Sequence, residues 1–265
     1  MDWSAAVPLA LSGLCLLLAV ATLVWLVSVR VRDASIADIA WGPLFLVLAA
    51  FYGLLGDGYP PRAGLVVALV GLWAARLALH IGLRNRGEGE DPRYRRWRER
   101  DGTAFARRSL WRVFWLQAGI AWIVAAPLLP ALASPEPARL TLLDGLGTAA
   151  WLVGFLFEVV GDEQLRRHRS DPARRGQVLR TGLWRYTRHP NYFGDALLWW
   201  GLWCFAAPVS GGAWTAVGPA LMTFLLIRVS GVRLLESDLE ERKPGYRDYV
   251  RRTNAFFPGP PRRAD

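Results

Sequence analysis

The sequence predicts an all-α polytopic membrane bundle of about seven helices, with cytoplasmic loops and a C-terminal tail over a polar cavity. Two observations predict it. The 265 residues are 53% hydrophobic yet 20% charged, and the apolar residues gather in long runs separated by arginine-rich loops. Those loops alternate in charge, as cytoplasmic and external connections do.

Apolar runs of the roughly 20 residues needed to cross a bilayer lie at about 6–28, 36–55, 63–83, 110–132, 142–162, 191–208 and 212–230. The first has no basic leader and carries Asp2, so it reads as a retained span rather than a cleaved signal. The stretch 84–109 holds nine arginines and 163–190 holds eight, and 231–265 is again basic. The connections 56–62, 133–141 and 209–211 hold only Arg62 and Arg139. The positive-inside rule then places the N-terminus outside and the C-terminus in the cytoplasm. Lys243 is the only lysine, a bias that suggests a GC-rich genome and hence a bacterial inner membrane. No repeat or second domain is visible, so 1–265 reads as one integral membrane domain.

Cys15 and Cys204 fall within apolar runs, and His80, His168 and His189 lack ligand spacing, so neither a disulfide framework nor a metal site is expected. The formal net charge is +10, but the arginines flank apolar spans. Membrane lipids or an anionic ligand are therefore better partners than nucleic acid.

Four stretches carry candidate chemistry. In the fifth run, Glu158 and Asp162 are four residues apart and share a helix face. A carboxylate within a span costs roughly 2.5–3.5 kcal/mol on insertion scales. The plain alternative is that both mark the membrane edge. The stretch RYTRHPNYFGD (185–195) puts Pro190 at a helix start, whose free N–H groups can hold a phosphate beside Arg188 and His189. Asn191 and Asp195 line one face below it; a charged cap is the alternative. The tail, with Tyr246, Tyr249, Arg247, Arg251 and Arg252 before NAFFP, is either a surface amphipathic helix or a lid over the same site. In RDASIADIAWG, Asp33 or Ser35 suits an N-cap, while Asp38 and Trp41 share a face. Trp199, Trp200 and Trp203 read as packing and interface anchors.

DASIADIAWG, RNRGEGEDPRYRRWRER, GFLFEVVGDEQ, TGLWRYTRHPNYFGD and YRDYVRRTNAFFP, in this order, resemble the bacterial DUF1295 membrane family, which is related to the C-terminal domain of steroid 5-alpha-reductases. The wider superfamily includes sterol reductases and isoprenylcysteine carboxyl methyltransferases. The resemblance covers most of the chain and implies a reductase core at about 110–260. It implies an NADPH-dependent oxidoreductase acting on an activated C=C bond of a steroid, sterol or lipid enone. It also implies that Asn191, Asp195, Glu158, Asp162 and Tyr186 contact the cofactor, with Arg188 and His189 at the phosphate end. The tail residues Arg233, Glu236 and Tyr249 match less directly, and Arg169 is the nearest match to the family's phosphate-binding arginine. Asp38 is the nearest acidic match for the catalytic proton donor. The third run offers Arg76 and His80 where the steroid enzymes carry a tyrosine, which leaves the substrate open between steroid, isoprenoid and other lipids. Two alternatives stand: an S-adenosylmethionine-dependent isoprenylcysteine-type methyltransferase, which shares RHP-x-Y-x-G, and a non-enzymatic transporter or lipid-binding membrane protein.

Overall fold

A computed structural model describes residues 3–229 and 244–262, and every regular element among them is helical. The helices are α1 (Trp3–Val31), α2 (Ile36–Leu55), α3 (Pro60–Asn85), α4 (Pro92–Asp101), α5 (Phe105–Ser109), α6 (Leu116–Val124), α7 (Leu128–Ala133), α8 (Leu142–Ser170), α9 (Pro190–Ala206), α10 (Val217–Phe224) and α11 (Tyr246–Arg252). Two π turns, Leu110–Trp115 and Leu225–Val229, continue α5 into α6 and extend α10.

Four helices, α1, α2, α3 and α8, are long and apolar enough to cross a membrane. The three other expected spans differ. The run 110–132 is not one helix: a π turn opens it, and the chain turns at Ala125–Pro127 before α7. Pro127 and Pro130 lack the N–H groups that an uninterrupted ladder would need. The run 191–208 becomes the 17-residue α9, and 212–230 becomes the 17-residue composite Ala213–Val229.

Helix starts follow the local chemistry. Pro60 opens α3, Pro92 opens α4 and Pro190 opens α9, each where a missing N–H is harmless. Before α2, Ser35 occupies the N-cap position without a side-chain cap bond, and Asp33 Oδ1 accepts from the Ser35 N–H at 2.8 Å in a turn that leads into the helix. Ser35 Oγ instead accepts from the Asp91 N–H at 2.7 Å and ties the second loop to the start of α2.

The chain divides into two compact units, 1–142 with 205–217, and 143–204 with 218–265. In the first, α2 and α3 are the principal pair. Gly42 lies against the Ala74 backbone, and Phe45 meets Trp73 edge to face, ring centres 5.4 Å apart. Arg62 is fully buried, donating to the Pro137 and Arg139 carbonyls at 2.8 Å each. Trp25, Trp115 and Trp122 fasten α1 to the α5–α6 run, their indoles donating to Ala106 O, Thr22 Oγ1 and Ala10 O. In the second unit, α8 packs on α9, and the tail residues 244–262 dock on the loop 182–189.

Candidate functional site

Glycines set the geometry of the second unit. Gly147, Gly154 and Gly161 recur every seven residues on α8, as do Gly194 and Gly201 on α9. They let the two backbones touch. A Cβ on Gly194 would fall 2.4 Å from Gly154 O and 2.7 Å from the Glu158 nitrogen. One on Gly161 would fall 3.2 Å from the Asn191 nitrogen. The close approach leaves short polar side chains on the two helices within reach of each other.

Asn191 Nδ2 donates to Asp162 Oδ1 at 2.9 Å. A carboxylate only accepts, so this bond fixes which way the amide points. Asn191 Oδ1 therefore faces away; it is buried and has no hydrogen-bond partner among the described residues. Glu158 is 4% exposed and Asp162 8%. Asp195 lies one turn beyond Asn191, beside Gly194. Glu158 and Asp162 are both buried, so neither reaches water as a carboxylate at the membrane edge would.

The loop after α8 and the tail close over this end. Trp184 is the joint: its indole donates to Gly161 O at 3.0 Å, and its carbonyl accepts from the Tyr249 hydroxyl at 2.5 Å. Arg188 is buried, its Nη1 donating to Thr253 O at 2.6 Å and Val250 O at 3.3 Å. Nη1 of Arg188 is thus engaged by tail carbonyls, which a guanidinium satisfies well. Thr187 Oγ1 donates to Phe256 O at 2.8 Å, and His189 stacks on Tyr192.

Two cavities flank the tail. One, of about 710 Å³, is lined by Arg174, Arg175, Arg180 and His168. The other, of about 420 Å³, is lined by Arg180, Arg185, Arg252 and Tyr249. Arg180 borders both. Its Nη2 donates to Gly245 O at 3.2 Å, and its Nη1 lies 3.7 Å from Asp248.

Of the expected site residues, Glu158, Asp162, Asn191, Asp195, His189 and Tyr249 thus lie on the touching faces of α8 and α9 or in the loop and tail that close over them. Tyr186 is in the loop but 43% exposed, and its carbonyl accepts from the Gly259 N–H. Arg169 is exposed on the last turn of α8 and lines neither cavity; Arg174, Arg175 and Arg180 do. Those three stood in the same arginine cluster, where composition cannot say which side chain faces inward. Arg233 and Glu236 lie outside the described residues. Trp184 and the glycine register also escaped the motif reading, although the seven-residue spacing was a usable signal.

Asp38 belongs to the first unit. Its Oδ1 accepts from the Tyr94 hydroxyl at 2.7 Å and, at 3.4 Å, from Gln117 Nε2; its Oδ2 accepts from Arg93 at 2.8 Å. Burial and the neighbouring Asp38 carboxylate push the Tyr94 hydroxyl far above the usual tyrosine range, so it stays a neutral donor.

The same loop is held by Glu90. Burial raises the Glu90 carboxyl, but the bidentate Arg98 guanidinium (2.7 and 2.8 Å) and the Ala34 N–H outweigh it and lower it overall. A depressed carboxyl contributes stability above its unfolded pKa and loses it as pH falls through the folded value. Amide-exchange protection of α4 is therefore expected to hold from neutral pH to about pH 4.5 and to fall at lower pH. Glu90→Gln should remove that acid-dependent step.

The family model described as "Protein of unknown function (DUF1295)" matches residues 24–253. An uncharacterized protein of Schizosaccharomyces pombe is 28% identical over 275 residues, covering 93% of this chain and 78% of that protein. No solved structure matches the chain.

Proposed function

The chain belongs to the DUF1295 family, and from that premise we propose that it is an NADPH-dependent membrane reductase of an activated C=C bond in a hydrophobic enone. The observation that carries the reading is the buried Asn191 Oδ1, held outward by the bond to Asp162. An orphaned buried acceptor costs on the order of 1–3 kcal/mol, and the amide N–H₂ of a nicotinamide is a donor of the right kind. The arginines of the two cavities suit the pyrophosphate and 2′-phosphate of the same cofactor. In this reading Asn191, Asp195, Asp162 and Glu158 would hold the nicotinamide end, and Arg174, Arg175 and Arg180 would hold the phosphates.

When bound, NADPH supplies a hydride to the β carbon of the enone. The chain's part is to hold and orient, to keep water out through the docked tail, and to meet the charge that develops on the carbonyl oxygen. Asp38 already accepts from three donors, Tyr94, Arg93 and Gln117, all within the first unit. Tyr94→Phe removes one of them and should lower the thermal midpoint by the equivalent of about 1 kcal/mol while leaving NADPH affinity unchanged.

The methyltransferase reading draws on Arg188-His189-Pro190-x-Tyr192-x-Gly194, which is common to both enzyme classes. Cofactor binding to the purified protein in detergent separates them. Thermal protection by NADPH and not by S-adenosylmethionine supports the reductase. The reverse moves the chain to the methyltransferases. Protection by neither favours the transporter or lipid-binding reading. The proposal places the protein in a bacterial inner membrane with its N-terminus outside and the arginine loops in the cytoplasm, and the uneven loop charge supports that orientation.

A further inference from the structure

A second polar cluster lies in the first unit, where α4 meets the α5–α6 run. The Asp101 carboxylate, its side chain 5% exposed, is approached by Arg100 at 3.0 Å, Arg108 at 3.0 Å and Arg112 at 3.3 Å. The three arginine side chains remain 61%, 47% and 55% exposed. One carboxylate neutralises one of them, so the cluster presents a surplus of two positive charges. Two carboxylate oxygens cannot saturate three guanidiniums, each with five donors. The three guanidiniums therefore keep N–H groups that this carboxylate does not take.

The surface that continues from this cluster is apolar. Arg112, Leu116, Gly119 and Ile123 follow one another at intervals of four, three and four residues, which is one face of a helix. Leu116 is 55% exposed and Ile123 39%, and a Cβ added at Gly119 would meet nothing within 4 Å. The face is therefore a shallow strip, indented at Gly119, running away from the arginines. Trp111 is 59% exposed beside Arg112, and its ring meets Trp115 edge to face at 4.5 Å. Both tryptophans lie in the π turn, a local irregularity common at functional positions. Basic residues, then tryptophan, then open apolar surface is the order of a bilayer interface read inward.

We infer that this face is a specific site for one anionic phospholipid, its phosphate held by Arg108 and Arg112 and an acyl chain lying along Leu116, Gly119 and Ile123. Asp101 organises the arginines, since without it three adjacent guanidiniums would repel one another and splay. A free phosphate would satisfy the arginines but leave the apolar strip unused, so the occupant is a lipid. The site stands apart from the reductase reading and does not depend on it.

The test is lipid retention by the full-length protein. Wild type reconstituted in mixed phosphatidylcholine–phosphatidylglycerol nanodiscs is released into mild detergent, and the retained lipid is quantified by mass spectrometry. Phosphatidylglycerol should be enriched. Arg108→Gln with Arg112→Gln should reduce its binding about 30-fold, two arginine–headgroup contacts being lost. Gly119→Leu, which fills the strip and leaves every charge in place, should also reduce retention, and it serves as the test if the double variant fails to fold. Arg95→Gln with Arg96→Gln, which removes equal charge from α4 outside the cluster, should retain lipid as wild type does. Equal losses in this control would reduce the effect to bulk charge and overturn the site. Undiminished retention in the double variant would do the same, as would unchanged retention in Gly119→Leu. Displacement of the lipid by inorganic phosphate alone would make it a free-anion site instead.

Discussion

Replacing Asn191 by alanine is expected to weaken NADPH binding by about 10- to 100-fold while leaving the helical content intact. The magnitude is that of one buried hydrogen bond lost and a second partner, Asp162, left short of a donor, roughly 1–3 kcal/mol. Asn191 lies at the second position of α9, where its side chain contributes little to the helix itself. Asn191→Asp is the sharper variant. It sets a carboxylate against Asp162 at the 2.9 Å now spanned by an N–H···O bond. The donor is replaced by a second acceptor facing the first, so binding by this variant should be weaker than that of Asn191→Ala. Isothermal titration reads both effects. Wild-type affinity in both variants would remove Asn191 from the site, whatever the protein binds.

The second large effect concerns a residue with no side chain. Gly194→Ala places a methyl 2.4 Å from Gly154 O and 2.7 Å from the Glu158 nitrogen, and both obstacles are backbone. The helices must part. Overpacking of this kind costs about 1–3 kcal/mol, and here it also separates Asn191 and Asp195 from Asp162 and Glu158. A lower thermal midpoint together with loss of cofactor binding is expected, from a substitution that helix propensity alone would favour. Gly145→Ala is the control: it also lies in α8, a Cβ there meets nothing within 4 Å, and it should stabilise by about 0.5–1 kcal/mol. If Gly194→Ala behaves like Gly145→Ala, then contact between α8 and α9 is not what assembles the site.

The expectations that matched the structure were those with a local cause. The bounds of α2 follow from an apolar run closed by Gly56, and the start of α9 from Pro190. The pairing of Glu158 with Asp162 on one face follows from helical periodicity alone. The expectations that moved depended on partners distant in the chain. The run 110–132 looked continuous by hydropathy, which does not register the backbone requirements of Pro127 and Pro130. The bonds from Arg188 to the tail carbonyls of Val250 and Thr253 could not be read locally either, since those partners lie more than 60 residues away. The bond from the Tyr94 hydroxyl to Asp38 joins residues 56 apart in the chain, a pairing that no local spacing shows.

Composition and order were thus enough to establish a helical membrane protein, its family and the two short motifs that face each other. Those properties are written in the chemistry of single residues and their spacing along a helix. Which of the many arginines line the cavities, which one clamps the tail and which three converge on Asp101 was decided only in three dimensions. An arginine is the same residue in every loop, and its role depends on the carbonyl, carboxylate or open surface that the fold sets opposite it.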